Sequence, residues 1–536
     1  MTAPVTRIYS ILGVAGAGKT TQLIDLLKYL NYEDYKNRIW EDYFEQTELN
    51  NVAFISFSNT AIQEIANRTG IKVKDRRRNA EGRYFRTVTG LLEVLLYENN
   101  LMSREEVQSV SRLEDFRVKW AKRHGMYYKP RDNDIRYTGN EFFAEYSRLI
   151  NTYYHKKSLN EIIGMHSKAH LLRDYLINKK REGIMDYEDI LMRAYDYKDD
   201  IVVDLQYMII DEAQDNSILD YATLLTIARN NLIDVVLAGD DAQLIYDFRG
   251  ANYVLFNKLI ENSKIILNLT QTHRFGSELS KLATSILNDM KYIQQREISS
   301  ANDIESYIMH VKMIQVVKLL KSNKVKDMTI YILARTNAVL DQVAKILEQK
   351  NIYYIKNERF TDFDRFILSI SRLLRNEYTN EDIYTIFNYM RNKSKNEEEL
   401  KEKVFQHRLM WTEQNILDIL MTAYDIETAK RILDIAKNSN FRLKLSTVHS
   451  AKGSEADIVI LINSIPAKTK MKLNFEQEKR VLYVAVTRAR KWLLIVDEQL
   501  TRKYTKLYYL RTYERVAREI SEQVSTETIK VAQFSN

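Results

Sequence analysis

A short apolar run at residues 8–12 leads into Gly13-Val14-Ala15-Gly16-Ala17-Gly18-Lys19-Thr20, and the amphipathic stretch 21–30 follows at once. This order predicts a strand, a glycine-rich turn and a helix, which is the context of a P-loop. The glycines let backbone N–H groups close around phosphate oxygens, and the start of a helix adds partial positive charge. Gly13, Ala15, Gly16, Ala17, Gly18, Lys19, Thr20 and Thr21 are therefore the candidate triphosphate cradle. Lys19 reaches the β- and γ-phosphates in such a loop, and the Thr20 hydroxyl is a Mg²⁺ ligand. The loop alone does not say what hydrolysis is used for.

At 536 residues the chain is too long for one core, so several domains are expected. Apolar residues make up 45% and charged residues 28%, as in soluble globular proteins. No apolar run reaches transmembrane length and no signal peptide is evident, so no membrane partner is expected. The absence of cysteine removes disulfides, thiolate zinc sites and cysteine-ligated iron–sulfur clusters, and fits a reducing cytoplasm. A formal charge of +8 and a pI near 9.0 favour a polyanionic partner.

Buried-type strand runs recur at 52–57, 207–210, 235–238, 265–269, 329–333, 443–447, 458–462 and 493–496. Helical patterns separate most of them, so the fold class is α/β with parallel sheets flanked by helices. Residues 101–182 and 376–440 break this rhythm as helical insertions. No glycine lies between Gly276 and Gly453, so phosphate cradling belongs to the first half and the second half contributes side chains.

Met208-Ile209-Ile210-Asp211-Glu212 is a strand ending in adjacent acids. Such a pair alone is commonly a helix cap. With a P-loop upstream, Asp211 reads as the Mg²⁺ ligand and Glu212 as the base for the attacking water. Val236-Leu237-Ala238-Gly239-Asp240-Asp241-Ala242-Gln243 is another strand with a polar tip. Gln243 is a candidate γ-phosphate sensor. Tyr246 and Phe248 read either as base-stacking residues or as a core-packing pair.

Taken in order, these segments resemble superfamily 1A helicases of the UvrD/Rep/PcrA type. Ser56-Phe57-Ser58-Asn59-Thr60-Ala61 resembles TFTNKA, residues 186–191 resemble DFDDLL, and residues 239–251 resemble GDxDQSIYxFRGA. Leu333-Ala334-Arg335-Thr336-Asn337 resembles LxRTN, residues 447–455 resemble THSAKGLE, and residues 480–490 resemble RLLYVALTRAK. The resemblance implies two RecA-like P-loop NTPase lobes with ATP between them. It assigns 1–100 and 183–270 to the first lobe, with 101–182 as its insertion. Residues 271–375 and 441–510 fall to the second lobe, 376–440 to a short insertion and 511–536 to a tail.

By the same resemblance Arg488 is an arginine finger, Arg274 a second such arginine, and Glu455 lies near the ribose. His273 stands where the family stacks a tyrosine on adenine. Phe57, Tyr246 and Phe248 stack bases of single-stranded DNA, while Asn59, Thr87, Arg335, Asn337 and His449 touch its backbone or sugars. The run Lys72, Lys74, Arg76, Arg77, Arg78, Arg83 and Arg86 reads either as added phosphate contacts or as a solvated loop.

The implied activity is ATP- and Mg²⁺-dependent 3′→5′ movement on single strands with duplex unwinding. The alternatives are a translocase that strips proteins while unwinding little, and a DNA-binding scaffold with residual ATPase. The expected partners are single-stranded DNA, its junctions with duplex, and replication or repair proteins. The expected form is a monomer in the cytoplasm of a bacterial or phage-infected cell. Departures from the family are expected to have consequences. Only residues 1–7 precede Ile8, which leaves no upstream adenine-reading Q motif. Thr87-Val88-Thr89-Gly90 keeps one residue of the THS segment. The second insertion has no glycine for a duplex-gripping loop, and residues 491–536 are too few for a nuclease domain.

Overall fold

The computed structural model describes residues 6–73, 82–130, 137–291, 293, 295–302, 304–325, 327–356, 362–406, 411–438, 442–466, 474–498 and 504–505. Lys74, Arg76, Arg77, Arg78 and the tail at 511–536 lie outside the described residues. The chain forms two compact units. The first runs to His273 and takes in Leu287–Ala301; the second comprises Arg274–Ile286 and the described residues from Asn302 onward. The segment Leu287–Ala301 thus departs from the expected 271–375 lobe. Its Ser299 and Ser300 pair with Gln271 and Thr272 of the first unit.

The first unit is built on six parallel strands: β1 (Ile8–Gly13), β2 (Val52–Ile55), β3 (Phe85–Arg86), β4 (Tyr207–Ile210), β5 (Asp234–Gly239) and β6 (Lys264–Leu269). They lie in the order β3-β2-β4-β5-β1-β6. β2, β4 and β5 are buried along their whole length, which is why they read as unbroken apolar runs. β6 is an edge strand, and Ile265 is exposed there rather than buried as its composition suggests. In a parallel sheet the loops leaving the C-terminal strand ends converge, and ligands bind beside them. The loops after β1, β4 and β5, which are neighbours, carry the glycines, the acid pair and Asp240.

The helices Arg104–Ser109, Leu113–Arg123, Thr138–Tyr153, Leu159–Met165 and Ala169–Arg181 fill the expected first insertion. They do not stand apart from the sheet. Trp120, Phe142, Tyr146 and Tyr175 share one continuous core with Ala53, Ile55, Met208 and Ile210.

The second unit has its own six-stranded parallel sheet. The order is Ile355–Lys356, Leu443–Thr447, Ile330–Ala334, Ala456–Ile462, Ala489–Val496 and Tyr307–Val311. Its helical insertion begins at Asp362–Leu374, earlier than the expected residue 376. Phe366, Ile367, Ile370 and Leu373 of that helix pack with Ile383, Leu400, Ile419 and Ile432, so burial assigns it to the insertion. This small core is separate from the one built on Ile332, Leu445 and Ile460 of the sheet. Among the described residues no helix is long and apolar enough to cross a membrane.

Candidate active site and nucleic-acid face

The helix Lys19–Leu30 starts directly at the glycine loop. Gly18 is its N-cap, with a left-handed φ of 84° and no side-chain cap bond. No capping side chain therefore competes with an anion for the first-turn N–H groups. Gly13 is needed for close approach, because a Cβ there would lie 2.8 Å from Lys19 Cγ. Lys19 Nζ donates to Gly13 O at 2.7 Å and Val14 O at 3.3 Å. Burial lowers its pKa, and Asp240, Glu212 and Asp211 oppose that shift. Thr20 is half-buried, while Thr21 is exposed and its hydroxyl accepts from Arg68 at 3.3 Å.

Two contacts fasten residues 272 and 273 to the loop. The Thr272 hydroxyl donates to Ala15 O at 2.8 Å, and the His273 N–H donates to Gly16 O at 2.9 Å. His273 is thus brought to the phosphate loop with its side chain exposed.

The acids occupy the end of β4. Asp211 is buried, and its N–H donates to Ile55 O at 2.8 Å. Burial, then the neighbouring Glu212 charge, pushes its carboxyl up to about 7 against the pull of Lys19. Glu212 adopts a left-handed backbone, φ 51° and ψ 39°, a conformation that costs a non-glycine residue energy and concentrates at functional sites.

Gln214, a residue sequence reasoning passed over, donates to Glu212 Oε2 at 2.5 Å and accepts from the Asp240 N–H at 3.1 Å. Gly239 makes room for it, since a Cβ there would lie 2.5 Å from Gln214 Oε1. Gln243 donates to Asp240 Oδ2 at 2.7 Å. Lys19, Asp211, Glu212 and Gln243 thus belong to one connected region of the first unit.

The oxygen donors of Thr20 and Asp211 fit a hard cation such as Mg²⁺. Among the described residues no group of three or more His, Asp or Glu side chains is placed to hold a metal by itself.

The remaining candidates for the nucleotide lie in the second unit. Arg488 is buried; Nε donates to Val484 O at 3.0 Å, Nη1 to Ser454 O at 3.2 Å and Nη2 to Thr487 Oγ1 at 3.2 Å. Arg274 donates to Glu455 Oε2 at 2.7 Å and to Thr487 O at 3.0 Å. The structure therefore joins Arg274 to Glu455, two residues expected to serve different parts of the nucleotide.

Three of the expected base-stacking residues come together. Phe57 and Tyr246 stack with ring centroids 4.9 Å apart and planes 16° from parallel. Phe248 meets Tyr246 edge-on at 5.9 Å and is 44% exposed. Arg249, also missed from sequence, lies 5.5 Å from the Phe57 ring and 5.4 Å from the Tyr246 ring. Phe57 and Tyr246 are half-buried and Phe248 is exposed, so the group packs partly on itself and leaves ring surface beside a cation open to a stacking partner.

The expected backbone contacts are less uniform. Asn59 is exposed at the start of the helix Asn59–Thr69. Thr87 caps the helix Val88–Glu98 by accepting from the Gly90 N–H at 3.3 Å, a structural duty sufficient to explain it. Asn337 opens the helix Asn337–Gln349, and its Oδ1 is buried without a hydrogen-bond partner. His449 is half-buried in the turn after Leu443–Thr447.

Arg335 grips Glu478 through Nε at 2.9 Å to both oxygens and Nη2 at 2.8 Å. Its guanidinium is engaged inside the protein rather than presented to DNA. In the basic run, Arg83 is likewise buried against Glu98.

A glycine-rich strand-to-helix loop, an acid pair at the end of β4 and a buried glutamine after β5, all on one parallel sheet, define a P-loop NTPase. A family model described as the UvrD/REP helicase N-terminal domain matches residues 1–264, and one described as the UvrD-like helicase C-terminal domain matches 374–499. The chain belongs to the UvrD-like helicases. It is 23% identical to the ATP-dependent DNA helicase Rep of Buchnera aphidicola, over 90% of this chain and 91% of that protein. It is 24% identical to the Gabija protein GajB of Bacillus cereus, over 92% of each chain. A probable DNA helicase II homolog of Mycoplasma pneumoniae is 24% identical over 60% of this chain and 59% of its own length.

Proposed function

We propose that this helicase hydrolyses ATP in response to single-stranded DNA and moves 3′→5′ along it, separating duplex as it goes. The observation carrying this reading is the hydrogen-bonded path from Glu212 through Gln214 and Asp240 to Gln243. That path ends three residues before Tyr246, in the segment that bears the stacking aromatics. A change at the γ-phosphate is thereby passed to the face that holds bases.

In this reading Lys19 and the loop N–H groups bind the triphosphate. Glu212 takes the proton of the attacking water, and Gln243 senses the γ-phosphate. Arg274 and Arg488 answer the charge that develops on it, a contribution of about 10³–10⁵ in rate in related NTPases. Thr20 and Asp211 would hold Mg²⁺, which when bound neutralises phosphate charge. His273 stacks on the base. Asn59, Asn337 and His449 contact the DNA backbone, and the chain works as a monomer.

The test is ATP turnover with and without single-stranded DNA, followed by unwinding of duplexes with 3′ or 5′ tails. Turnover that ignores DNA would refute the motor, and unwinding from 5′ tails alone would refute the direction. A second reading, a translocase that strips proteins and unwinds little, draws support from the second insertion. That insertion has no glycine from which to build a duplex-gripping loop. Strong stimulation without strand separation would favour it.

A further inference from the structure

Arg296 lies in Leu287–Ala301, the segment that belongs with the first unit, and none of the motifs in the sequence includes it. Its Nη2 donates to Asp240 Oδ1 at 2.6 Å and to Asp241 Oδ1 at 2.6 Å. The three side chains are 5%, 0% and 8% exposed, so the two ion pairs are made inside the protein, shielded from water. The other oxygen of Asp240 accepts from Gln243 at 2.7 Å, and its N–H reaches Gln214 and, through it, Glu212. Arg296 also contributes to the field at Lys19, where it acts with burial to lower the pKa.

The sequence supplies a reason for this clamp. The pattern GDxDQ places its second acid directly before the glutamine. This chain reads Gly239-Asp240-Asp241-Ala242-Gln243, with the acid one position earlier, where it shares Arg296 with Asp240. Two adjacent buried carboxylates repel each other, and one guanidinium nitrogen holding both fixes the turn that carries Gln243.

We propose that Arg296 is a positioning residue for hydrolysis, setting Gln243 in place through Asp240 while making no contact with the nucleotide itself. This rests on the ATPase reading above. A role in hydrolysis differs from a role in stability alone, because it is felt in kcat far more than in nucleotide affinity and vanishes once Gln243 is gone.

The experiment uses the full chain with Arg296→Ala, Arg296→Lys, Gln243→Ala and the Arg296→Ala/Gln243→Ala pair. Each is assayed for kcat and KM with saturating single-stranded DNA, for Kd of a non-hydrolysable ATP analogue, and for Tm. The unaltered chain is measured first. No turnover there overturns the ATPase reading and this inference with it.

With turnover present, Arg296→Ala should lower kcat about 10- to 100-fold and change the analogue Kd less than about threefold. Arg296→Lys should recover much of the loss, and the double variant should be no slower than the slower single variant. Unchanged kcat in Arg296→Ala, losses that multiply in the double variant, or a parallel collapse of kcat, Kd and Tm would each overturn the proposal. Should Arg296→Ala fail to fold, Arg296→Gln, which keeps hydrogen-bonding capacity but not the charge, decides. A kcat deficit at near-normal Tm and Kd supports positioning, and wild-type kcat overturns it.

Discussion

Arg274 Nε donates to Glu455 Oε2 at 2.7 Å, while the same guanidinium reaches Thr487 O at 3.0 Å. The residue after Thr487 is Arg488, which itself donates to the carbonyl of Ser454, the residue before Glu455. Two short segments, 454–455 and 487–488, therefore seat both Arg274 and Arg488. Glu455 is a competitor for the guanidinium that a phosphate would engage.

That competition separates two duties for Glu455. If it only holds Arg274, Glu455→Gln should change kcat less than about threefold, since an exposed ion pair is worth roughly 0–1 kcal/mol. Arg274→Ala should lower kcat by about 10³-fold or more, as expected for an arginine answering γ-phosphate charge. Steady-state ATPase of the two variants checks this. A Glu455→Gln loss as large as that of Arg274→Ala would instead return Glu455 to a direct role at the nucleotide.

Arg335 is expected to act on stability before it acts on DNA. Glu478 is buried, and Arg335 binds both of its oxygens. Arg335→Ala removes this bidentate pairing from a buried carboxylate, a loss of about 3 kcal/mol. The corresponding fall in Tm is about 6–12 °C for a unit of this size. Single-stranded DNA affinity should fall less than about threefold. The measurements are a thermal melt and fluorescence anisotropy; an unchanged Tm with a large affinity loss would restore Arg335 to the DNA face.

A buried charge group in the first unit sets a pH dependence. Lys179 Nζ lies 2.6 Å from Asp186 and 2.7 Å from Asp189, and Arg117 lies 3.1 Å from Glu188. Burial and then the Asp186 charge push Asp189 up to about 7, against the pull of Lys179. Burial works the other way from the net shift at Asp186, where Lys179 and Arg117 prevail and hold its pKa below the usual value.

The folded pKa of Asp189 is above its unfolded value, so the folded state binds the extra proton. Its contribution to stability is full below about pH 4 and is lost as pH rises through about 7. The slope for one proton is at most about 1.4 kcal/mol per pH unit. Asp189→Asn should flatten the fall of stability between about pH 5 and 7. Denaturant melts across that range check the sign, and a steeper fall in the variant would contradict it.

How far these arrangements were legible depends on where their partners lie in the chain. β4 and β5 announced themselves because strands buried on both faces carry unbroken apolar runs, and the loop at residues 13–20 carries its own glycines. The strand Tyr307–Val311 was missed because it is only partly buried and His310 interrupts its apolar pattern. The helix Asp362–Leu374 was assigned to the sheet lobe because only the packing of Phe366 and Ile370 reveals which core it joins. Arg335 and Glu478 are 143 residues apart, and Arg296 and Asp241 are 55 apart. A single sequence carries no local signal for such pairs. The stacking trio was readable through its motifs, yet the stack itself is a tertiary fact.

That stack gives the sharpest test of the nucleic-acid face. Phe57 follows β2, and Tyr246 follows Gln243 in the segment after β5, so the pair joins two loops of the sheet's C-terminal edge. Each ring also lies within 5.5 Å of the Arg249 guanidinium carbon. Removing one ring deletes a stacking surface and loosens the other. Phe57→Ala or Tyr246→Ala should therefore weaken single-stranded DNA binding by about 1–3 kcal/mol, with little dependence on base sequence. The double variant should lose less than the sum, because the rings hold each other in place. Arg249→Ala should weaken binding and also reduce its salt dependence, since a cation is removed. Anisotropy titrations on homopolymeric strands at two salt concentrations check all three. Fully additive losses would mean that the two rings bind separate bases without supporting each other, and an unaltered affinity would remove this cluster from the DNA path.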